Sequence, residues 1–222
     1  MIKAVIFDVD GTLVDSNHLH VMSWQEAFRE FGVEVPAEQF AKQIGKGGDQ
    51  LVPGFLTKEQ NAAFGERLSK RKDDLYRERY REQVRPFPRV RDLFERLHAD
   101  EKRVAIATSG KCADLEQYIE LLGVADLVDV MATAEDAAHT KPAPDIFAAA
   151  LRKLENIPAS NAIAVGDSVW DAKSAAGAGL RTIGLLCGGY TEAELRGAGC
   201  VAVYRDPADL LVQYAASPLT AS

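Results

Sequence analysis

Two aspartates, Asp8 and Asp10, stand two residues apart just after the apolar run Ala4-Val5-Ile6-Phe7, and Gly11 and Thr12 follow them. Acids so placed are costly, because burial and mutual repulsion both disfavour their charged forms. A divalent cation offsets that cost, and hard oxygen ligands suit Mg2+. A carboxylate can also attack phosphorus, and a second carboxyl two residues on can donate and accept the protons involved. The competing explanation is turn chemistry, since Asp10-Gly11 is an ordinary turn pair and Gly11 accepts backbone angles that a side chain resists.

Three further motifs carry polar groups at comparable places. Thr108-Ser109-Gly110 ends the run at 104–107, and a hydroxyl with free amides between a strand and a helix makes an oxyanion site. In Thr140-Lys141-Pro142-Ala143-Pro144-Asp145 two prolines stiffen the approach to a helix, with Pro144 suited to its first position. A lysine held there balances an aspartate and a bound phosphate. Gly166-Asp167-Ser168 ends the run at 162–165, and Asp171 follows one helical turn later, so the two carboxylates can face one space. Singly, each of these has a bland explanation as a turn or a solvated charge. Four polar motifs, three at the ends of apolar runs and the fourth, with Lys141, on a loop able to lie on the same sheet edge, are hard to explain as packing.

The elements that must position them are legible from periodicity. Short apolar runs rich in β-branched residues read as buried strands at 4–7, 104–107, 128–132, 162–165 and 182–186, with a short one near Val201. From residue 82 on they alternate with helices, including one with Val90, Leu93, Phe94 and Leu97 on a face and a last one near Leu210. That alternation predicts an α/β fold, a doubly wound and mostly parallel sheet that binds ligands beyond the carboxyl ends of its strands. The tail after Tyr214 is expected to fray.

Between the first two strands the pattern is helical throughout. A helix from about Ser16 to Phe31 carries Val21, Trp24, Phe28 and Phe31 at helical spacing, with Gly32 as its stop. His20 lies in its first turns, either approaching Asp10 or serving as a solvated or core histidine. Residues 36–80 follow, with a capping box in Thr57-Lys58-Glu59-Gln60 and an apolar stripe of Phe64, Leu68 and Leu75. The loop Gly45-Lys46-Gly47-Gly48-Asp49-Gln50 reads as either a substrate-sensing loop, with Lys46 on the ligand, or a helix–helix connection. It is no P-loop, because no Gly-Lys-Ser/Thr follows at the required spacing. Lys70, Arg71 and Lys72 read as a solvated face from which Lys72 can reach a phosphate. The helical segment ends at Pro86-Phe87-Pro88. The expected division is a core of residues 1–15 and 82–222 with a helical insertion at 16–81.

The 222 residues are 47% hydrophobic and 27% charged, which fits one large domain or a domain with a small insertion. The net charge of −7 argues against a nucleic-acid partner and requires local cations or a metal for any anionic substrate. No run spans a bilayer, no signal peptide precedes the first strand, and three cysteines without a CxxC pair suit a reducing cytoplasm. The expected state is a monomer or weak homodimer.

The stretch Asp8-Val9-Asp10-Gly11-Thr12-Leu13-Val14-Asp15-Ser16 resembles the first motif of the haloacid dehalogenase-like superfamily, in the two-acid form of its phosphatases and phosphomutases. Thr108 matches the second motif, whose hydroxyl holds the phosphate, and Lys141 in K-P-A-P-D-I-F matches the third. Gly166-Asp167-Ser168 with Asp171 resembles the fourth. The resemblance covers residues 5 to 179 and implies a Rossmann-like core with an α-helical cap, of the phosphoglycolate phosphatase and β-phosphoglucomutase-like branch. Where that branch has Pro-Gly at the return from the cap, this chain has Pro88-Arg89. A His and Trp like His20 and Trp24 are frequent in its sugar-phosphate members.

The expected protein is a Mg2+-dependent phosphatase of a small phosphorylated metabolite. Asp8 is its nucleophile and Asp10 its acid and base. Thr108, Ser109 and Lys141 hold the phosphate, and Asp8, the Asp10 carbonyl and Asp167 hold the ion. Asp171 and His20 support these, while Lys46 and Gly47 face the substrate. A phosphomutase is the alternative, although Gly48 stands near the place where the mutases carry a phosphate-holding arginine. The remaining alternative is a non-catalytic binding protein.

Overall fold

Strand β1, Ala4–Phe7, divides its side chains between two cores. Val5 and Phe7 enter one apolar cluster and Ala4 and Ile6 the other, so the strand is buried on both faces. The computed structural model describes residues 1–220. After β1 the chain forms β2 (Val14–Asp15) and then the helices α1 (Asn17–Glu30), α2 (Ala37–Ala41), α3 (Gly48–Leu51), α4 (Lys58–Gln60) and α5 (Glu66–Leu75). It returns through β3 (Arg85–Pro86), which pairs antiparallel with β2. That two-stranded ribbon ties together the outgoing and returning connections of the helical excursion.

The remainder alternates as expected. Helix α6 (Val90–Ala99) leads to β4 (Arg103–Ala107), α7 (Cys112–Leu122) to β5 (Val130–Ala132), and α8 (Asp145–Lys153) to β6 (Ala162–Gly166). Then come α9 (Val169–Gly177), β7 (Arg181–Leu185), α10 (Glu192–Gly197), β8 (Cys200–Tyr204) and α11 (Pro207–Val212). The six-stranded sheet has the order β5-β4-β1-β6-β7-β8, and every neighbouring pair is parallel. The apolar faces of α6 and α7 cover one side, and Ile146, Phe147 and Ala150 of α8 cover the other.

The topology places β1 at the point where the strand order reverses. Phe7 pairs in register with Ile106 of β4 and Val165 of β6, so the residues just beyond these three strands share one edge. The helices of the excursion form a cluster of their own around Trp24, Phe28, Phe40, Leu51, Leu68 and Leu75. The capping box at Thr57 is present. Two widened π turns, Asn61–Gly65 and Tyr76–Tyr80, flank α5.

Three expectations need correction. Pro144 is the N-cap of α8 rather than its first residue. The third core strand begins at Val130, because Val128 and Asp129 still belong to the preceding loop. The tail does not fray between Tyr214 and Thr220: Tyr214 and Leu219 are buried in the larger core, and Ser217 donates to the Tyr214 carbonyl at 2.7 Å, while residues 221–222 lie outside the described residues. The small residues there are compatible with packing because the large ones between them supply it. No helix among the described residues is long and apolar enough to cross a membrane.

Candidate active site

Asp8 follows β1 and is almost wholly buried. Its Oδ1 accepts from Lys141 Nζ at 2.5 Å, and its Oδ2 accepts from Thr12 Oγ at 3.2 Å. Burial raises its proton affinity further than Lys141 lowers it, and the neighbouring acids add to the rise, to a pKa of about 7. Lys141 reaches this place from the loop before α8 and also donates to the Ala107 carbonyl at 2.9 Å. It is fully buried yet held charged, because Asp171 and Asp8 outweigh the desolvation.

Asp171 divides its two oxygens. Oδ2 accepts from the Ser168 hydroxyl at 2.6 Å and from the Ser168 amide at 3.0 Å, closing the N-terminus of α9 as a capping box. Oδ1 lies 2.8 Å from Lys141 Nζ. The Ser-x-x-Asp spacing therefore starts the helix and orients the lysine with the same side chain.

Asp167 is handled differently. It accepts from Thr12 Oγ at 3.0 Å and from Asn17 Nδ2 at 2.9 Å, both neutral donors. Burial, followed by the charges of Asp171 and Asp8, raises its proton affinity well above the ordinary carboxylate value. Glycines crowd it: a Cβ on Gly188 would fall 1.6 Å from Asp167 Oδ2, and one on Gly11 2.4 Å away. Carboxylate oxygens of Asp8, Asp167 and Asp171 lie within 4.8 Å of one another. A buried all-oxygen cluster with one acid lacking a cationic partner fits a hard divalent ion. Asp8 and Asp171 share Lys141, whereas Asp167 meets only neutral donors and is the freest of the three to ligate an ion.

Asp10 lies outside this cluster. Its Oδ1 accepts from Ser16 Oγ at 2.6 Å and lies 2.9 Å from His20 Nε2. Burial would raise its pKa, but His20 and Ser16 outweigh it and hold the carboxyl at about 2. Ser16, an N-cap by position, makes no cap to α1 because its hydroxyl serves Asp10. His20 Nδ1 lies 3.1 Å from Lys72 Nζ, and its ring stacks on Tyr76 at 4.1 Å. Burial and then the Lys72 charge keep the imidazole below its usual pKa. The tautomer that satisfies both contacts donates from Nε2 to Asp10 and accepts at Nδ1 from Lys72.

Lys72 corrects the solvated-face expectation, because it is buried between α5 and α1. The signal was present in the spacing: Lys72 sits four residues after Leu68 and three before Leu75, on the apolar stripe. Arg71 does pair at the surface, with Glu30. Asn17 and Thr12, the partners of Asp167, were not singled out in the sequence, where nothing sets them apart from other polar residues near a turn.

A cavity of about 350 Å3 opens beside these groups, lined on the core side by Asp8, Asp10, Thr108 and Ser109 and on the helical side by the loop of Gly45 to Asp49. Thr108 Oγ accepts from the Gly110 amide at 3.0 Å, and Ser109 Oγ donates to the Gly45 carbonyl at 3.2 Å. The Gly47 amide donates to Thr140 Oγ at 3.0 Å, a closeness that a side chain at Gly47 would prevent. Lys46 borders the cavity, with its ammonium held by Gln43 Oε1 at 2.6 Å and lying 3.8 Å from the Trp170 ring. Asp49 accepts from the Thr140 amide at 3.1 Å and from its hydroxyl. Glu135 and Asp136 lie away from the cavity, holding Thr133 and Lys153.

Residues 5–185 match the family model described as haloacid dehalogenase-like hydrolase. The protein CbbY of Cereibacter sphaeroides is 30% identical over 208 residues, 87% of this chain and 88% of the relative. A phosphoglycolate phosphatase of Nitrosospira multiformis is 30% identical over 183 residues, 80% of each chain. The crystal structure of a hydrolase from Pseudomonas syringae superposes with a TM-score of 0.86 at 32% identity, over 96% of this chain and 98% of the other.

Proposed function

Because the chain belongs to the haloacid dehalogenase-like hydrolases, we propose that it hydrolyses a small phosphate monoester through a phosphorylated Asp8, with Mg2+ as cofactor. The observation that carries this reading is the shared cavity of Asp8 and Asp10, whose environments drive their proton affinities in opposite directions. The names of relatives such as the phosphoglycolate phosphatase support it. Residues 16–81 act as the cap and the rest as the core, and the free thiols Cys112, Cys187 and Cys200 suit a cytoplasmic location.

Asp8, Asp167 and the backbone carbonyl of Asp10 would hold the ion, which would supply positive charge to offset that of the phosphate. Thr108, Ser109 and Lys141 hold the non-bridging phosphate oxygens. Asp8 forms an oxygen–phosphorus bond as the bond to the leaving oxygen breaks, and Asp10 gives that oxygen a proton. Asp10 then takes a proton from the water that attacks phosphorus, the bond to Asp8 breaks, and inorganic phosphate departs. Both carboxyls end as they began. Without substrate Asp10 is ionised; the anionic phosphate binding beside it raises its proton affinity, so Asp10 takes a proton from solvent before the first step and returns one to solvent when phosphate departs. Lys72 and His20 hold the carboxyl in place throughout.

A phosphomutase needs a second phosphate holder in the cap. A side chain at Gly48 would strike Ser69, and Asp49 presents a carboxylate to the core, which disfavours that reading.

The test is release of inorganic phosphate from a panel of monoesters with MgCl2. We expect turnover that ceases on chelation and falls by at least about 10³-fold in Asp8→Asn. Equal inertness of both proteins would sink the hydrolase reading, and exchange between sugar phosphate isomers without release would replace it by the mutase.

A further inference from the structure

Resting on that hydrolase reading, the part of the cavity away from Asp8 and Asp10 bears on what the phosphate is attached to. Charged side chains line it in equal numbers, three lysines (Lys46, Lys72 and Lys111) and three aspartates (Asp49, Asp73 and Asp114). Each ammonium is already engaged. Lys111 Nζ lies 2.6 Å from Asp73 Oδ2, and Lys72 Nζ lies 3.7 Å from Asp73 Oδ1 and 3.1 Å from His20. Lys46 is held by Gln43 and Trp170, as described. Arg77 and Arg81 are spent on Asp114, with Arg77 donating at 3.2 and 3.3 Å.

A second phosphate or a carboxylate on the leaving group can only accept hydrogen bonds. To meet Lys72 or Lys111 it must break a lysine–aspartate pair and then sit beside the released carboxylate, and to meet Lys46 it must draw that ammonium away from Gln43 and the Trp170 ring. A hydroxyl both donates and accepts, so it can lie between Asp73 and Lys111 or Lys72 and bond to both sides without separating a charge from its partner. Charge-paired walls therefore discriminate by repulsion as well as by fit. The cavity, about 350 Å3, is at the small end for ligand sites.

We propose that the leaving group is a small neutral polyol, so that the substrate is a sugar or alditol monophosphate rather than a phosphorylated acid, a bisphosphate or pyrophosphate. Asp73, which links Lys72 and Lys111, is the residue that sets this preference.

The experiment compares kcat/KM on neutral esters (glycerol 3-phosphate, fructose 1-phosphate, glucose 6-phosphate) with that on anionic ones (phosphoglycolate, 3-phosphoglycerate, fructose 1,6-bisphosphate). p-Nitrophenyl phosphate serves as the general control. The best neutral ester should lead the best anionic one by about tenfold or more. Asp73→Asn, which frees two ammonium groups, should narrow that ratio several-fold through a fall in KM for the anionic esters. Parity or an anionic lead in the wild type overturns the proposal, while Asp8-dependent turnover of the control keeps the hydrolase reading standing. An unchanged ratio in folded Asp73→Asn overturns the assignment to Asp73. If that variant does not fold, the wild-type ranking decides the substrate class, and Asp73→Ser tests the residue.

Discussion

Among the described residues, Lys141 is the single cation in contact with two of the three buried acids at the end of the sheet. It lies 2.5 Å from Asp8 and 2.8 Å from Asp171, and all three side chains are nearly or wholly excluded from solvent. Removing one member of such a group leaves buried charge without compensation, which costs about 3–5 kcal/mol. Lys141→Met should therefore lose about that much unfolding free energy in urea, along with its phosphatase activity. Unaltered stability would mean that the acids are already neutral in the resting protein. The contrast with Asp10 is instructive. One residue separates it from Asp8, yet it faces His20 and Ser16, which lower its proton affinity, while burial and the neighbouring acids raise that of Asp8 against the pull of Lys141.

At the scale of elements, the site is assembled from strand ends and the helix starts that follow them. The α9 capping box is also the lysine's partner, so the helix boundary and the chemistry cannot be changed separately. The turn after β7 contributes in a less visible way. Gly188 lies so close to Asp167 that any side chain there must displace the carboxylate or the turn. Gly188→Ala should raise the MgCl2 concentration needed for half-maximal activity by about tenfold or more, as expected when support around a metal ligand is disturbed. Titration of activity against MgCl2 checks it, and an unmoved midpoint would remove Asp167 from the proposed ion site.

Across the whole molecule, the helical excursion is closed on the core. The Lys42 carbonyl accepts from Trp170 Nε1 at 3.1 Å and from the Tyr190 hydroxyl at 2.7 Å, and the 45–49 loop docks on Ser109 and Thr140. In the proposed hydrolase, parting of these contacts would widen the way to the cavity. Asp49 makes the closure pH-dependent. Burial acts to raise its pKa, but the Thr140 hydroxyl and amide outweigh it and leave the carboxyl below its ordinary 3.8. A depressed pKa in the closed form means that the stabilisation is complete above that ordinary value and is lost as the pH falls through the lower one. Hydrogen exchange in residues 45–49 should accelerate several-fold beyond its intrinsic pH dependence on acidification below about pH 4. Asp49→Asn should show the faster exchange already at neutral pH. Exchange in the variant matching the wild type would show that other contacts hold the cap.

The sequence by itself determined the strands, their polar ends and the helical character of the insertion at residues 16–81, because these depend on local periodicity and on turn residues at fixed spacing. Asp8, Thr108, Lys141, Asp167 and Asp171 were each legible as strand-end or helix-start groups, and the parallel sheet follows from the alternation that carries them. What tertiary structure decided is which groups meet. Asn17 and Gly188 converge on Asp167 from segments far apart in the chain, and Asp49 reaches Thr140 across 91 positions. Lys72 was hidden in a basic run, although its spacing put it on the buried stripe. A side chain's partners across a cleft are set by how whole elements pack, and no local pattern encodes that distance; the same is true of the paired charges that shape the cavity wall.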